Sequence, residues 1–473
     1  MGHRRFSIGR LGFRRRATVA GCLAVLAATA IGSLGGVGAV GAAVDDAPAR
    51  AGAAWLAAEL QAGGNRLDHL GQTDWGLTAD AILAITAAEG RGNPVAAAAA
   101  QALWEGRDAF STWDEIEGDF AGVRLAGPTA KLLLVAAGTD RPVAERAAVE
   151  SQIRGLVVSS GPDAGRVADL NPHDVDTSST FTQSLAVAAL SRTEGGVPAQ
   201  VANFLLAQQC PSGGFRLTPA AGSCVEDSKI DTDATSMAIQ SLLVVERTTA
   251  VTDALSRAIG WLVGAQAADG SFKGTGPTAT PNSNSTGLAA QALRAAGRLT
   301  AADSAAGWIA ALQRPSGGSD PGAIAYDPFA AQGAADGIGN LSRDQWRRAT
   351  SQAMLAFGAP VMGQIGDAES SSATTSSTST TSSTTSTSTT SSTTSTSTTS
   401  APSTTSTTTP ALSTTTVTSP TPVEVASSTA SHTVAASESA LARTGAGVDQ
   451  PVGLALMALG FGGLLVLYGP RRR

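Results

Sequence analysis

The sequence predicts an all-α domain over residues 44–366, made of six copies of a pair of helices. A segment that begins with threonine and continues with apolar or small residues recurs six times. The copies lie far enough apart to leave room for a second helix in each repeat. The chain is 42% hydrophobic but only 4% aromatic, which favours close packing of small side chains between helices.

One helix of each pair starts at the recurring threonine. The copies begin at Thr78, Thr129, Thr182, Thr235, Thr286 and Thr350. Successive starts are 51 to 53 residues apart, except for a last interval of 64 residues. This longer interval contains a Gly/Pro-rich insertion at 315–340. The threonine-led helices are apolar almost all round, so we expect them to be enclosed.

The other helix of each pair precedes the threonine. In several copies it ends with an aromatic residue, followed by glutamine and then by a turn that contains glycine. The aromatic and glutamine pairs are Trp55 with Gln61, Phe204 with Gln208, Trp261 with Gln266, and Trp308 with Gln313. Glu, Arg and Gln occupy one side of these helices, so we expect them to face water around the enclosed helices.

These aromatic and glutamine pairs, with turns such as Asp269-Gly270-Ser271-Phe272, resemble a known repeat. It is the repeat of squalene and terpenoid cyclases and of protein prenyltransferase β subunits. The resemblance covers about residues 50–360. It implies an α/α toroid of six inner and six outer helices.

The chemistry of these families is only partly matched. Asp231 and Asp233 resemble the Asp-x-Asp-Asp motif of class II terpenoid cyclases, with Asp233 in place of the catalytic acid, but Ala234 replaces the following Asp. The inner helices also have almost no aromatic rings to stabilise cations. Ser271 stands where prenyltransferases have a zinc-ligating cysteine. We therefore predict no metal, no cofactor and no assigned catalytic residue.

A complement-type thioester is a further possibility on this fold. Cys224 begins a near match to its Cys-Gly-Glu-Gln motif, but Asp227 replaces the acyl-donating glutamine. Cys210 and Cys224 are the two cysteines that remain after export, and in an oxidising compartment we expect them to form a disulfide. The thioester is therefore not predicted.

Short polar residues lie near the starts of most inner helices. They are Asp74 and Asp80, Asp174 and Asp176, Asp231 and Asp233, and Asn282 and Asn284. The first interpretation is that they cap the helices by accepting free backbone N–H groups. The second is that they gather carboxylates around one mouth of the ring, because all inner helices start at the same end.

The second interpretation supplies the candidate binding residues. They are Asp176, Asp231 and Asp233, with the aromatic residues Trp75, Phe181 and Tyr326 in turns or at inner-helix starts. The alternative function is a secreted enzyme that acts on a glycan or lipid through these carboxylates. Residues 44–366 carry about 11 net negative charges, so nucleic acid is not a predicted partner.

The N-terminal residues 1–43 are predicted to be a secretory signal peptide. Basic residues from Arg4 to Arg16 precede an apolar run from Val19 to Val40, which is followed by small residues. Cys22 superficially matches a lipoprotein box, but most of the apolar run follows it. Ordinary secretion is therefore the preferred interpretation.

The C-terminal residues 441–473 resemble a cell-wall sorting signal of Gram-positive bacteria. Its pentapeptide is Leu441, Ala442, Arg443, Thr444 and Gly445. An apolar span from Val452 to Leu467 and three terminal arginines follow, as expected for a transmembrane helix with a cytoplasmic basic end. The resemblance implies that sortase cleaves after Thr444 and joins the protein to peptidoglycan. A plain membrane anchor is the alternative.

Residues 367–440 are predicted to be a disordered stalk, because this stretch is mostly serine and threonine and cannot bury a core. The combined prediction is a secreted protein of the cell surface and cell wall, contacting the membrane only through its C-terminal anchor. Its toroid would bind an unknown small molecule, glycan or protein without catalysis.

Overall fold

The computed structural model describes residues 46–114, 120–173 and 175–367. The predicted signal peptide, the sorting signal with Leu441 to Gly445, and the stalk beyond Asp367 lie outside these residues. Within the described residues, no helix is both long and apolar enough to span a membrane. The predictions about export and anchoring therefore stay predictions.

Helices dominate the described residues. Along the chain the α-helices are α1 (Ala47–Ala62), α2 (Trp75–Glu89), α3 (Pro94–Glu105), α4 (Arg107–Ser111), α5 (Ala126–Gly138), α6 (Val143–Gly155), α7 (Thr180–Leu190), α8 (Ala199–Ala207), α9 (Thr232–Leu242), α10 (Thr249–Ala265), α11 (Ser283–Ala295), α12 (Leu299–Ala310), α13 (Pro328–Gly333) and α14 (Arg343–Ala353). Short 3-10 turns follow at Met354–Ala356 and Met362–Gln364.

Two antiparallel strand pairs lie in the connections between helices. They are β1 (Asp68–His69) with β2 (Gln72–Thr73), and β3 (Phe215–Arg216) with β4 (Ile230–Asp231). Each strand has only two residues, so the pairs shape turns and do not form a sheet core.

Six helices form a closed inner ring. Helices α2, α5, α7, α9, α11 and α14 each pack against the next, and α14 packs against α2. Helices α1, α3, α6, α8, α10 and α12 pack outside this ring. All eleven residues of α7 are buried, whereas α10 buries only one stripe. The predicted toroid of inner and outer helices is confirmed for the described residues.

The recurring threonine joins each incoming turn to its inner helix. The hydroxyl of Thr235 accepts the N–H of Phe215 at 2.8 Å and donates to the carbonyl of Asp231 at 2.7 Å. Thr78 and Thr286 make the same two bonds in their repeats. Because these groups are buried, the hydroxyl satisfies a backbone N–H that no helix bond could reach.

A glutamine side chain links each of three repeats to the next outer helix. The amide of Gln313 donates to the carbonyls of Gly322 in its own turn and Pro48 in α1, which joins the last repeat to the first. Gln266 bridges its turn to α12 in the same way.

In two repeats the glutamine of the sequence pattern is not the one that links. The pattern paired Gln208 with Phe204, but Gln209 connects its turn to α10. Gln61 is exposed on α1. Two repeats lack the aromatic and glutamine ending, and in the second of them Gln183 of α7 supplies equivalent bonds to Gly165 and Val201.

The two faces of the ring have different connections. Inner helices lead to outer helices through short turns, from three residues (296–298) to eight (191–198). Outer helices lead to inner helices through longer connections, from twelve residues (63–74) to thirty-two (311–342). The long connections surround the end of the ring where the inner helices begin. We call this end the mouth and the opposite end the base.

The C-terminal segment, residues 357–367, covers the base. The guanidinium of Arg192 donates to the carbonyl of Ile365 at 2.8 Å, and the amide of Gln291 donates to that of Pro360. The backbone N–H of Met362 donates to the side-chain oxygen of Gln240 at 3.2 Å. Met362 and Ile365 are each 1% exposed, so the segment is part of the core.

Cys210 and Cys224 form a disulfide, as predicted. The bridge spans the connection between α8 and β4 and packs against Ile230 and Trp261. It therefore fixes the loop that leads into α9 at the mouth.

Candidate functional site

Two positions of each inner helix line the inside of the ring near the mouth. The upper layer lies two residues before each recurring threonine and contains Gly76, Gly127, Thr180, Asp233, Asn284 and Arg348. The lower layer lies two residues after it and contains Asp80, Lys131, Ser184, Met237, Leu288 and Gln352. Residues four apart lie above one another on a helix, so each upper residue stands over a lower one.

The polar residues at the inner-helix starts divide into caps and lining residues. Asp74, Asp231 and Asn282 each accept a helix N–H at 2.8 Å, so these three are caps as predicted. Asp80 is the sixth residue of α2 and lies beyond the free N–H groups of the helix start. Asp233 is in the first turn of α9, but the cap position of that helix is taken by Asp231.

Asp176 does not cap α7. Ser179 takes that place and accepts the N–H of Thr182 at 3.2 Å. Asp176 instead pairs with Arg166 at 2.6 Å and accepts the N–H of Ser178 within its own turn. Asp174 is outside the described residues. The structure therefore gives Asp176 a role in the connection between α6 and α7.

Asp231 is fully engaged by the protein. One carboxylate oxygen caps α9, and the other accepts both the N–H and the hydroxyl of Thr275, at 3.1 and 2.7 Å. The residue is 2% exposed. Asp231 thus holds the connection between α10 and α11 against the mouth and has little capacity left for a ligand.

Asp233 has a free acceptor. It is 7% exposed, and its Oδ1 atom has no hydrogen-bond partner among the described residues. Burial and the nearby Asp231 raise the pKa of Asp233 to about 7, against a lowering effect of the Ser285 hydroxyl. A Cβ on Gly274 would lie 2.9 Å from Asp233 Oδ2, so the backbone of this connection passes directly beside the carboxyl group.

Two further groups border Asp233. Asn284, beside it in the upper layer, is half-buried and has an Oδ1 atom without a partner in the described structure. Tyr326 is half-buried, and its backbone carbonyl accepts the N–H of Ser283 at the start of α11. Burial raises the pKa of Tyr326, and the charge of Asp233 adds to the shift. Asp233, Asn284 and Tyr326 form what we call the mouth cluster.

The other two predicted aromatic residues are placed differently from expectation. Phe181 is 6% exposed within the core. Trp75 is half-buried against the junction of α3 and α4, where a Cβ on Gly106 would lie 2.2 Å from its indole ring. Both side chains pack between elements, and the expectation that they are exposed at the mouth is corrected.

The lower layer contains a buried ion pair that the sequence analysis did not identify. Lys131 Nζ lies 2.7 Å from Asp80 Oδ1, and the two side chains are 5% and 4% exposed. Burial raises the pKa of Asp80 to about 7 and lowers the pKa of Lys131. The sequence does contain a signal for this pair. Two consecutive apolar segments carry opposite charges at the same position, two residues after the recurring threonine.

The insertion at 315–340 is held at the mouth by charge. Asp320 accepts from Trp55 at 3.3 Å and from Arg343 at 2.8 Å, and Arg343 also binds the buried Glu59. Phe329, at the start of α13 in this insertion, is 81% exposed. The insertion thus has a fixed attachment and one exposed aromatic ring.

Among the described residues, no group of three or more His, Cys, Asp or Glu side chains is arranged to hold a metal ion.

Comparisons with known proteins give matches among solved structures only. No family model matches the chain, and no curated protein matches it. A protein from Actinoplanes is 20% identical, with coverage of 66% of this chain and 98% of that one and a TM-score of 0.46. The type II terpene cyclase MstE from Scytonema is 14% identical, with coverage of 66% and 96% and a TM-score of 0.45.

A third similar structure is a UGL variant with dGlcA-Glc-Rha-Glc. It is 12% identical, with coverage of 67% of this chain and 97% of that one and a TM-score of 0.46. At these identities and TM-scores, the activities of the neighbours are not transferred to this chain.

Proposed function

We propose that this protein is a binding protein of the cell surface, which holds a polyhydroxylated ligand such as a glycan or polyol at the mouth of its ring. The observation that carries the proposal is the mouth cluster, where Asp233 and Asn284, on neighbouring helices, each present an oxygen that has no partner among the described residues. Unpartnered buried acceptors are costly unless a donor fills them.

The hydroxyl groups of a sugar supply such donors. Tyr326 is half-buried and near enough to Asp233 for the charge of that carboxyl group to raise its pKa, so it supplies an aromatic ring for the C–H groups of the same ligand. A few convergent polar groups next to an aromatic side chain are typical of small-molecule sites. The net negative charge of the domain disfavours anionic ligands.

The attachment to the cell is proposed from the sequence. The order of pentapeptide, apolar span and terminal arginines supports sortase transfer of Thr444 to peptidoglycan, and the Ser/Thr-rich stretch supports a stalk. Replacement of Thr444 by Ala should shift the protein from the wall fraction to the membrane or medium. An unchanged wall fraction would contradict covalent attachment through Thr444.

Binding is tested by titrating the full chain with neutral oligosaccharides and polyols. We expect Asp233→Ala and Asn284→Ala to weaken the interaction by about 10-fold or more, because each removes an acceptor to a ligand hydroxyl. Asp253→Ala is the matched control, since Asp253 is exposed on the outer helix α10. Equal affinities for all three variants and the unaltered chain would exclude the mouth cluster as the binding site.

A second candidate is a glycan-acting enzyme with Asp233 as proton donor. The specific observation is that the pKa of Asp233 is raised to about 7, which is suitable for a general acid at neutral pH. Asp231 cannot simply act as the second carboxylate of a hydrolase, because its two oxygens already bind Thr275 and the start of α9. Cleavage of a bound oligosaccharide that is abolished in Asp233→Asn would favour this candidate over binding alone.

A further inference from the structure

Asp233 differs from the other buried carboxyl groups of the described structure in what neutralises it. Five acidic residues are at most 7% exposed, and three of them pair with basic side chains. The three pairs are Glu59 with Arg343, Asp74 with Arg348, and Asp80 with Lys131. Asp231 has no basic partner among the described residues, but its oxygens accept three hydrogen bonds. Asp233 has neither compensation, because one of its oxygens has no partner in the same part of the chain.

The groups around Asp233 do not supply a positive charge. The charged residue that acts on the pKa of Asp233 is Asp231, which is also acidic. Asn284 adds a second oxygen without a partner in the described structure, and Tyr326 adds an aromatic ring. Lys273 belongs to the connection beside the carboxyl group, but its side chain is exposed. The mouth cluster therefore offers acceptors and an aromatic ring to a group that brings its own charge.

The mouth as a whole is more acidic than the base. The described residues of the long connections include fourteen acidic and eight basic residues. The short turns at the base include three acidic and five basic residues. An excess of negative charge around a site attracts cations and repels anions. The field at the mouth therefore favours the same kind of ligand group as Asp233 does.

A primary ammonium group matches these features better than a hydroxyl group. It has three N–H donors and no acceptor, so it can fill the free oxygens of Asp233 and Asn284 at the same time. A hydrogen bond between an ammonium and a carboxylate is about twice as strong as one between neutral groups. An ammonium group is also attracted to the face of an aromatic ring such as that of Tyr326.

We propose that the ligand of the mouth cluster is an amino sugar or amino polyol, whose protonated primary amine binds Asp233 and Asn284. The inference rests on the proposed function, since it specifies the class of polyhydroxylated ligand. The ammonium group takes the place of the lysine or arginine that pairs with the other buried carboxyl groups. Burial and Asp231 raise the pKa of Asp233 to about 7, and the bound cation lowers it again because it stabilises the carboxylate.

The experiment compares sugars and polyols that differ at one group. The full chain is titrated at about pH 7 with glucosamine, kanosamine and glucamine, which carry the amine at different carbons. Glucose, sorbitol and N-acetylglucosamine are the matched compounds without a basic amine. We expect at least one of the amines to bind about 10-fold or more tightly than all three matched compounds, because it adds a charge-assisted hydrogen bond to Asp233.

Two variants test whether Asp233 makes this contact. In Asp233→Asn the preference for amines should be lost, while binding of glucose should change less, because asparagine keeps a side-chain oxygen. Asp336→Asn is the control, since Asp336 is an exposed acidic residue of the insertion at the mouth. It should keep the preference. Equal losses in the two variants would show that the general field selects the amine and would overturn the contact with Asp233. Circular dichroism checks that both variants are folded.

The other outcomes separate this inference from the proposed function. If glucose, sorbitol and N-acetylglucosamine bound as tightly as the amines, the inference would be overturned and binding of a neutral polyhydroxylated ligand would stand. If none of the six compounds bound, both proposals would be contradicted. Putrescine, a diamine without hydroxyl groups, is the last probe. Binding of putrescine as tight as that of the best amino sugar would assign the site to amines alone and overturn the choice of an amino sugar.

Discussion

Asp231 and Asp233 are only two residues apart, but their carboxyl groups have different roles. Asp231 caps α9 and holds Thr275, so its oxygens are satisfied by the protein. Asp233 lies on the inner side of the ring, where burial makes ionisation unfavourable and one oxygen has no partner in the described part of the chain. The same residue type thus stabilises the structure at one position and is available to a ligand two residues later.

The titration of Asp233 should affect stability. Its folded pKa of about 7 is above the ordinary value of about 3.9, so the folded chain holds a proton that the unfolded chain releases. Asp233 therefore stabilises the fold fully below about pH 4, and this contribution is lost as the pH rises through 7. We expect Asp233→Asn to gain free energy of unfolding relative to the unaltered chain between pH 5 and pH 8.

Urea unfolding at the two pH values measures this difference. Asp253→Asn is the control, because Asp253 is exposed on α10 and should follow the unaltered chain at both pH values. If the stability of Asp233→Asn also followed the unaltered chain at both, the carboxyl group would not hold its proton as the structure indicates.

At the scale of the elements, the repeat is held by side chains that bind backbone groups at fixed positions. Threonine, glutamine and turn glycine each connect an incoming turn to a helix. In the turns, Gly270 and Gly322 have positive φ angles and lie against the next outer helix, where a Cβ would be 2.5 Å from the carbonyl of Ser304 and 2.1 Å from that of Ala51. Only glycine satisfies both constraints.

The hydrogen bond between the Thr235 hydroxyl and the incoming turn can be tested by mutation. Thr235→Val should lower the free energy of unfolding by about 1–3 kcal/mol, because it leaves the buried N–H of Phe215 without a partner. Thr252→Val is a matched control, since the exposed Thr252 hydroxyl bonds only to a carbonyl within its helix. Chemical denaturation compares the two, and equal losses would argue against the proposed link between turn and inner helix.

The turn glycine gives a second prediction. Gly270→Ala should destabilise the protein by about 1 kcal/mol or more, because alanine disfavours a positive φ and its Cβ would collide with Ser304. Gly264→Ala, in α10 with no atom near the added Cβ, should instead stabilise by about 0.5–1 kcal/mol. Thermal unfolding of both variants provides the measurement, and a loss in both would contradict this explanation.

These bonds explain which parts of the fold the sequence predicts. Threonine and glutamine recur because each repeat needs the same backbone contacts, so the ring was predictable from spacing. The one-residue error between Gln208 and Gln209 arose because both are glutamines and only one faces the next outer helix. The Asp80 and Lys131 pair forms because α2 and α5 are neighbours in the ring, and the sequence indicates it only through opposite charges at the same repeat position.

At the scale of the whole molecule, the C-terminal segment closes the base of the ring. Arg192 binds Gly363, Ile365 and Asp367, and Arg91 binds Gly366, so two arginines from different inner-to-outer turns hold the last described residues. The segment covers the end of the ring that the inner helices leave open. The ring is therefore closed at the base and has its candidate sites at the mouth.

The attachment of this segment is a testable feature of the whole fold. Arg192→Ala should increase amide hydrogen exchange within residues 357–367, because three backbone or side-chain contacts are lost together. Exchange at α12 and α1 should change little. Arg298→Ala, at an exposed position before α12, is the control. Unchanged exchange in the segment would show that its apolar contacts alone hold it in place.

The position of the last described residue matters for the proposed attachment to the wall. The chain leaves the ring at Asp367, at the base, while Asp233 and Lys131 lie towards the opposite end of the inner helices. In a protein attached to the wall through its C-terminus, tension along the tail would be transmitted first to Arg192 and Arg91. Such a tail would leave the ring at the end opposite the mouth, so the tether itself would not obstruct the approach of a ligand.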